Sequence, residues 1–77
     1  MLEKLKEFLA ENYDMKADDI TLQSEIGNDL GISSFQLVEM CSQLEEEFEI
    51  EINEDEMTNI ITIGDLIALI EKEIKNK

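Results

Sequence analysis

Apolar residues recur three and four positions apart along most of this 77-residue chain, and no proline interrupts them. Such spacing places side chains on one face of an α-helix, so each stretch predicts a helix with a buried stripe. Glycine, the other strong helix breaker, occurs only three times. The stripes are Leu2, Leu5 and Leu9; Leu37, Cys41, Leu44 and Phe48; and Ile63, Leu66, Ile67, Ile70 and Ile74. We therefore predict an all-α fold.

The predicted helices form a small four-helix bundle that occupies residues 1–77 as a single domain. Three longer helices are expected at about 2–12, 34–48 or 49, and 63–75, with a short helix at about 53–60. A loop of about 20 residues joins the first two helices, which is long for a compact domain and typical of a functional segment. Four spaced aliphatic residues are expected to fasten this loop to the core: Ile20, Leu22, Ile26 and Leu30.

Three of the helix starts carry capping signals. In each, a short polar side chain is followed three positions later by one that can bond back to it, which satisfies amides that the first turn leaves unpaired. The pairs are Ser33 with Gln36, Asn53 with Glu56, and Thr62 with Asp65. These signals set the expected starts of the second, short and last helices.

The chain is strongly acidic, with six basic residues against twenty acidic ones and a formal net charge of −14. Such a surface repels nucleic acid and anionic membranes and attracts basic patches on protein partners. Histidine is absent and cysteine occurs once, as Cys41, which argues against most nucleophile–base arrangements and a cysteine-based zinc cage. The sequence has no secretory signal and no membrane-length apolar run. We expect a monomeric cytoplasmic protein without enzymatic activity or a metal site.

The second helix has an apolar sector apart from its buried stripe. At about 100° per residue, Phe35, Val38 and Ser42 fall on a roughly outward side. Glutamates surround them: Glu39, Glu45, Glu46 and Glu49. One interpretation is an ordinary, partly exposed surface with solvated acids. The other is a small apolar patch ringed by acid, built to meet a patch ringed by base on a partner.

Two serines, Ser33 and Ser34, stand at the predicted start of the second helix. Unpaired amides and the positive end of the helix dipole favour anions there, so a phosphodiester on either hydroxyl would be stabilised. The simpler interpretation is that both serines only cap the helix. The serines alone do not decide between these interpretations.

The run from Asp29 to Phe35, Asp-Leu-Gly-Ile-Ser-Ser-Phe, resembles the Asp-Leu-Gly-x-Asp-Ser-Leu signature of the acyl carrier protein family. The similarity continues through Leu-Glu-Glu-Glu-Phe at 44–48 and Ile-Ile-Thr-Ile at 60–63, and covers essentially the whole chain. A short serine motif is weak alone, but this motif with the second run at the family's distance is specific.

The resemblance implies a carrier whose serine, here Ser34, receives 4′-phosphopantetheine from coenzyme A through a separate phosphopantetheinyl transferase. Ser33 would cap the helix in place of the family's usual Asp, without its charge. Acyl thioesters on the arm would be delivered to fatty-acid, polyketide or related synthase and acyl-transfer enzymes with basic docking patches. The family's docking positions correspond to Phe35, Val38, Glu39, Ser42, Glu45 and Glu46.

Several alternatives remain open. The cargo could instead be aminoacyl, peptidyl or D-alanyl, in a dedicated pathway, or the chain could be an unmodified acidic docking module. A calcium loop is disfavoured because no acidic stretch has the central glycine that such loops need. Five apolar residues could shelter an acyl chain or could simply form the core: Met40, Met57, Ile60, Ile61 and Leu69.

Overall fold

The computed structural model describes residues 2–76, which contain four α-helices and one 3₁₀ turn. The elements are α1 at Leu2–Tyr13, the 3₁₀ turn at Ala17–Asp19, α2 at Ser34–Phe48, α3 at Glu54–Met57, and α4 at Ile63–Lys75. The predicted all-α class, the three longer helices and the long first connection are therefore confirmed. The two ends of the predicted single domain, Met1 and Lys77, lie outside the described residues.

A single apolar core joins α1, α2 and α4. The predicted stripes supply about half of it, and Leu2, Leu37 and Phe48 are only half-buried at the edge of the core. Fully burying an aliphatic side chain contributes about 1.5–3 kcal/mol, which offsets the repulsion among so many carboxylates. The large side chains with no exposed area are Leu5, Leu9, Ile20, Met40, Leu44, Ile63, Leu66 and Ile70.

The long connection between α1 and α2 is fastened to the segment that precedes α4. Glu25 and Thr62 form an isolated antiparallel bridge, and the Ile26 amide donates to the Ile61 carbonyl at 2.9 Å. Ile20 and Ile26 are buried as predicted, and Leu30 is half-buried. Leu22, however, is 45% exposed, so its predicted anchoring role is wrong. It lies in a turn, and its backbone carbonyl accepts the Gly64 amide at 2.9 Å.

Two of the three predicted capping boxes are present, at Ser33 and at Thr62. Asn53 does cap α3, but its side chain accepts from the Asp55 amide at 3.0 Å, and no reciprocal bond from Glu56 forms. The helix α3 also ends at Met57, earlier than predicted. Polar side chains after it bond back to the Asp55 carbonyl, which competes with continued helix formation.

The last helix, α4, has the predicted bounds and the predicted buried face, except near its end. Ile74 was expected on that face but is 37% exposed. Helical spacing defines a face, whereas burial also requires a neighbouring element at that level. Within residues 2–76, no helix is long and apolar enough to cross a membrane.

Candidate functional site

The start of α2 is held by a reciprocal pair of hydrogen bonds between Ser33 and Gln36. The Gln36 amide donates to Ser33 Oγ at 3.2 Å, and the Ser33 amide donates to Gln36 Oε1 at 3.0 Å. The first intrahelical bond follows at once, from the Leu37 amide to the Ser33 carbonyl at 2.8 Å. The hydroxyl of Ser33 is therefore committed to closing the helix, as the sequence predicted.

The loop before α2 directs the chain into this start. Gly31 has a φ of 69°, a left-handed conformation that glycine adopts without a side-chain penalty. The next residue, Ile32, is buried and donates its amide to the Ile26 carbonyl at 3.0 Å. Asp29 Oδ2 accepts from the Glu25 amide at 2.8 Å and closes the turn that precedes Gly31. The Asp-Leu-Gly part of the motif therefore serves to position Ser34.

Ser34 is the first residue of α2 and is exposed. Of the four amides at this helix start, Ser33 and Gln36 have partners within the capping box. In the described part of the chain the remaining two, from Ser34 and Phe35, are not engaged by another protein group. No acidic side chain lies in the first turn of α2. The helix start therefore offers amides and a positive dipole end to an anion on Ser34.

A small opening of about 210 Å³ lies beside Ser34. Its walls come from α2, from the long loop and from the segment before α4, and they are mainly aliphatic: Ile26, Ile32, Leu37, Ile60 and Ile61. Glu25 and Asn28 add polar groups. The sequence did not single out Leu37 for this place, because its spacing put it in the buried stripe. Its half-buried position at the edge of the core is visible only in the structure.

The outward sector of α2 is exposed as predicted. Phe35 is 73% exposed and Val38 47%, while Glu39, Ser42 and Glu46 are also exposed. Glu45 differs from the rest of this group. It is half-buried, and its Oε2 accepts from the Ile52 amide at 3.0 Å, which ties α2 to the segment before α3.

The five residues predicted to surround an acyl chain do not form one set. Met40, Met57, Ile60 and Leu69 belong to the buried core. Ile61 is 59% exposed, so its assignment to the interior is wrong. Its neighbours Ile60 and Ile63 are buried, so the interior at this point is filled without Ile61. Whether the other four shelter an acyl chain stays a prediction.

Cys41 has no exposed area and carries a free thiol. Burial raises the pKa of this thiol to about 11, and the nearby charge of Glu45 acts in the same direction. Its thiolate is therefore scarce at neutral pH, and the residue behaves as a small apolar core residue, as predicted.

Other parts of the described chain offer no competing reactive centre. A larger cavity of about 710 Å³ lies between α1 and the far end of α2, but its lining is dominated by glutamates and it does not include Ser34. Among residues 2–76, no three Cys, Asp or Glu side chains come together in a way that could hold a metal ion. The start of α2 is therefore the strongest candidate site.

The chain is similar to known proteins along most of its length. Residues 3–70 match the sequence pattern of a family described as "Phosphopantetheine attachment site". A protein of Clostridium perfringens named "Acyl carrier protein" is 39% identical over 70 residues, covering 91% of this chain and 92% of that protein. Proteins of the same name from Lactobacillus acidophilus and Exiguobacterium sibiricum are 42% identical over 67 residues and 34% identical over 74 residues. The aligned regions span 87% and 96% of this chain, respectively, and 84% and 94% of the two relatives.

Proposed function

The chain belongs to the acyl carrier protein family, whose members carry 4′-phosphopantetheine covalently and are carriers rather than enzymes, and from this premise we propose that Ser34 is the attachment residue. The arm would come from coenzyme A through a phosphopantetheinyl transferase. Acyl groups would then be carried on its thiol as thioesters. The name of the relatives supports an acyl cargo over an aminoacyl, peptidyl or D-alanyl one.

The observation that carries this proposal is the difference between the two adjacent serines. Ser33 Oγ accepts the Gln36 amide at 3.2 Å, so a group added there would break the capping box. Ser34, one position on, is exposed and is not used by the box. A transferase can therefore reach the Ser34 hydroxyl without opening the helix.

The residues around Ser34 also fit the group that it would hold. A phosphodiester carries a negative charge, and the first-turn amides of Ser34 and Phe35 together with the helix dipole would stabilise it. The first turn of α2 has no carboxylate to repel it. The attached group supplies a thiol that forms a reactive thioester. The protein itself supplies the anchoring point, the reach and the surface that partners recognise.

We further propose that partner enzymes dock on the exposed sector of α2, hereafter the α2 face, which comprises Phe35, Val38, Glu39, Ser42 and Glu46. An apolar centre with acidic neighbours is complementary to an apolar hollow rimmed by Lys and Arg. The net charge of −14 would speed association with such partners in a salt-dependent manner. Glu45, also predicted to dock, would contribute through its remaining oxygen while holding the Ile52 amide.

The setting that we propose is the cytoplasm, with the chain acting as a monomer for enzymes of fatty-acid synthesis or a related pathway such as polyketide synthesis. Ser33 and Phe35 depart from the family's usual Asp and Leu in the resemblance described above. These departures favour a dedicated set of partners over a general one.

The test is intact-mass measurement after incubation with coenzyme A, Mg²⁺ and a broad-specificity phosphopantetheinyl transferase. The wild-type chain should gain the mass of one phosphopantetheine. Ser34→Ala should gain nothing, and the matched variant Ser33→Ala should still be modified. Modification of Ser34→Ala, or no gain in the wild type under conditions that modify a control carrier, would contradict the assignment.

A further inference from the structure

Ile61 is an exposed aliphatic side chain at the edge of the opening beside Ser34. It is 59% exposed. Among the large apolar residues of 2–76, Phe35 alone is more exposed. It comes from the segment between α3 and α4, whereas Phe35 and Leu37 come from α2. Ser34 and Ile61 line the same opening of about 210 Å³. Exposed apolar side chains therefore flank the candidate attachment residue from two different elements.

The backbone of Ile61 is held firmly in this place. Its amide donates to Asp65 Oδ2 at 3.1 Å, and its carbonyl accepts the Ile26 amide at 2.9 Å. Both of its backbone polar groups are therefore paired, one with α4 and the other with the long loop. Because this backbone is already ordered, a partner that covers Ile61 does not have to order the loop that carries it.

Acidic groups flank Ile61, as they flank Phe35. Glu25 lines the same opening, and the Asp65 carboxylate lies against the Ile61 amide. Hydrogen bonds from the Thr62 and Ile61 amides lower the pKa of Asp65, so this carboxylate is fully charged at neutral pH. An apolar residue beside fixed negative charge is the same pattern as on the α2 face. Both fit a partner surface with an apolar hollow and a basic rim.

We propose that Ile61 is a second apolar anchor for the phosphopantetheinyl transferase, so that this enzyme grips the chain on both sides of Ser34. The inference rests on the proposed attachment at Ser34. An enzyme that brings coenzyme A to this hydroxyl must cover the surface around it, and Ile61 shares that opening with Ser34. A second anchor on another element widens the contact beyond the α2 face and further restrains the position of the serine in the transferase.

The test is the steady-state kinetics of phosphopantetheine transfer from coenzyme A by a broad-specificity transferase, with the carrier as the varied substrate. Ile61→Ser should raise KM about tenfold with kcat within about twofold of wild type, because it removes binding without touching the reacting hydroxyl. The matched control is Leu22→Ser. Leu22 is also exposed, at 45%, in an irregular segment, but it is not part of the opening. Its KM should stay within about twofold of wild type.

Further variants separate a docking role from a structural one. Ile61→Leu should restore most of the wild-type KM, since it returns apolar area at the same place. Thermal unfolding should show all three variants folded at the assay temperature, as substitutions at exposed positions usually change stability little. A wild-type KM for Ile61→Ser, or an equal rise in KM for Leu22→Ser, overturns the second anchor and leaves Ser34 as the attachment residue. Failure of the wild-type chain to accept the arm overturns both proposals.

Discussion

The starts of α2 and α4 share a capping box but differ in the residue that follows the cap. Each has a capping box, Ser33 with Gln36 in α2 and Thr62 with Asp65 in α4. The residue that follows the cap is the exposed Ser34 in α2, but it is Ile63 in α4, which has no exposed area. The cap therefore sets where a helix begins, and the residue after it differs with whether that beginning faces the core or solvent.

The two boxes also differ in charge. Asp65 Oδ2 accepts from the Ile61 and Thr62 amides at 3.1 Å each, so the start of α4 has its own anion. The box of α2 is closed by the neutral side chain of Gln36. The start of α4 is satisfied within the chain, whereas α2 keeps its favourable potential for an external anion.

Exchanging the polar and apolar residues at the first positions of α2 and α4 should have the largest effect on the free energy of unfolding, and this effect should fall on α4. Ile63→Ser should destabilise the fold by about 3–5 kcal/mol, because it leaves a cavity and buries a hydroxyl. Ser34→Ile, at the equivalent exposed position, should change stability by less than about 0.5 kcal/mol. Urea unfolding followed by far-UV circular dichroism measures both. Similar losses in the two variants would mean that the helix starts are equally buried, contrary to the comparison.

Removing each cap should cost about 1 kcal/mol, because each removes an acceptor for a first-turn amide. The variants are Ser33→Ala and Thr62→Ala, compared by the same unfolding measurement. The similar distances of 3.2 Å from Gln36 and Asp65 to their caps predict similar losses. A loss in Ser33→Ala close to zero would show that the α2 box contributes nothing to stability and would weaken the argument that distinguishes the two serines.

The pH dependence of stability should distinguish the charged box from the neutral one. Amide hydrogen bonds lower the pKa of Asp65 below its ordinary 3.8 in the folded state. Its contribution is therefore fully present above the unfolded pKa and is lost as the pH falls through the folded pKa. The stability difference between wild type and Asp65→Asn should be constant above about pH 5 and should shrink at lower pH.

Gln36→Asn serves as the control for that experiment, since it changes the α2 box without changing charge. Its difference from wild type should not depend on pH in this range. Chemical unfolding at a series of pH values measures both differences. The stability difference between wild type and Asp65→Asn could instead stay the same down to the lowest pH at which the chain remains folded. That result would contradict the role assigned to the Asp65 charge.

Giving α2 a charged box should have the smallest effect. Gln36→Glu should stabilise the unmodified chain by about 0.3–1 kcal/mol at low salt, because a carboxylate interacts well with the helix start. The gain should be smaller after Ser34 is modified, because the phosphodiester is a like charge at the same place. Unfolding of both forms measures this, and an equal gain in the two forms would argue against an anion at the start of α2.

Much of the helical framework could be predicted from local sequence. Spacing of apolar residues located α1, α2 and α4, and the Ser-x-x-Gln and Thr-x-x-Asp patterns located two starts, because these signals act over one or two helical turns. The short α3 was predicted too long. Its end depends on bonds from Thr58 and Asn59 back to Asp55, which compete with the helix in a way that propensity does not reveal.

The errors at the surface have a different cause. Leu22, Ile61 and Ile74 were expected to face the core, and each is exposed. Spacing gives the relative orientation of neighbouring side chains but not the presence of a covering element. The same limit hid the bond between Glu45 and the Ile52 amide, since these residues lie seven positions apart on different elements.

Composition gave the acidity, and local patterns were sufficient to specify the three longer helices, the caps of α2 and α4 and the serine motif, because those patterns depend on neighbours within a few positions. The tertiary structure alone decided which aliphatic residues line the opening beside Ser34, and that Ile61 is exposed there. Those properties arise where α2, the long loop and the segment before α4 meet, residues 22–26 pairing with 61–64 across a wide gap in sequence. Contacts between distant segments depend on the packing of the whole core, which no local pattern encodes.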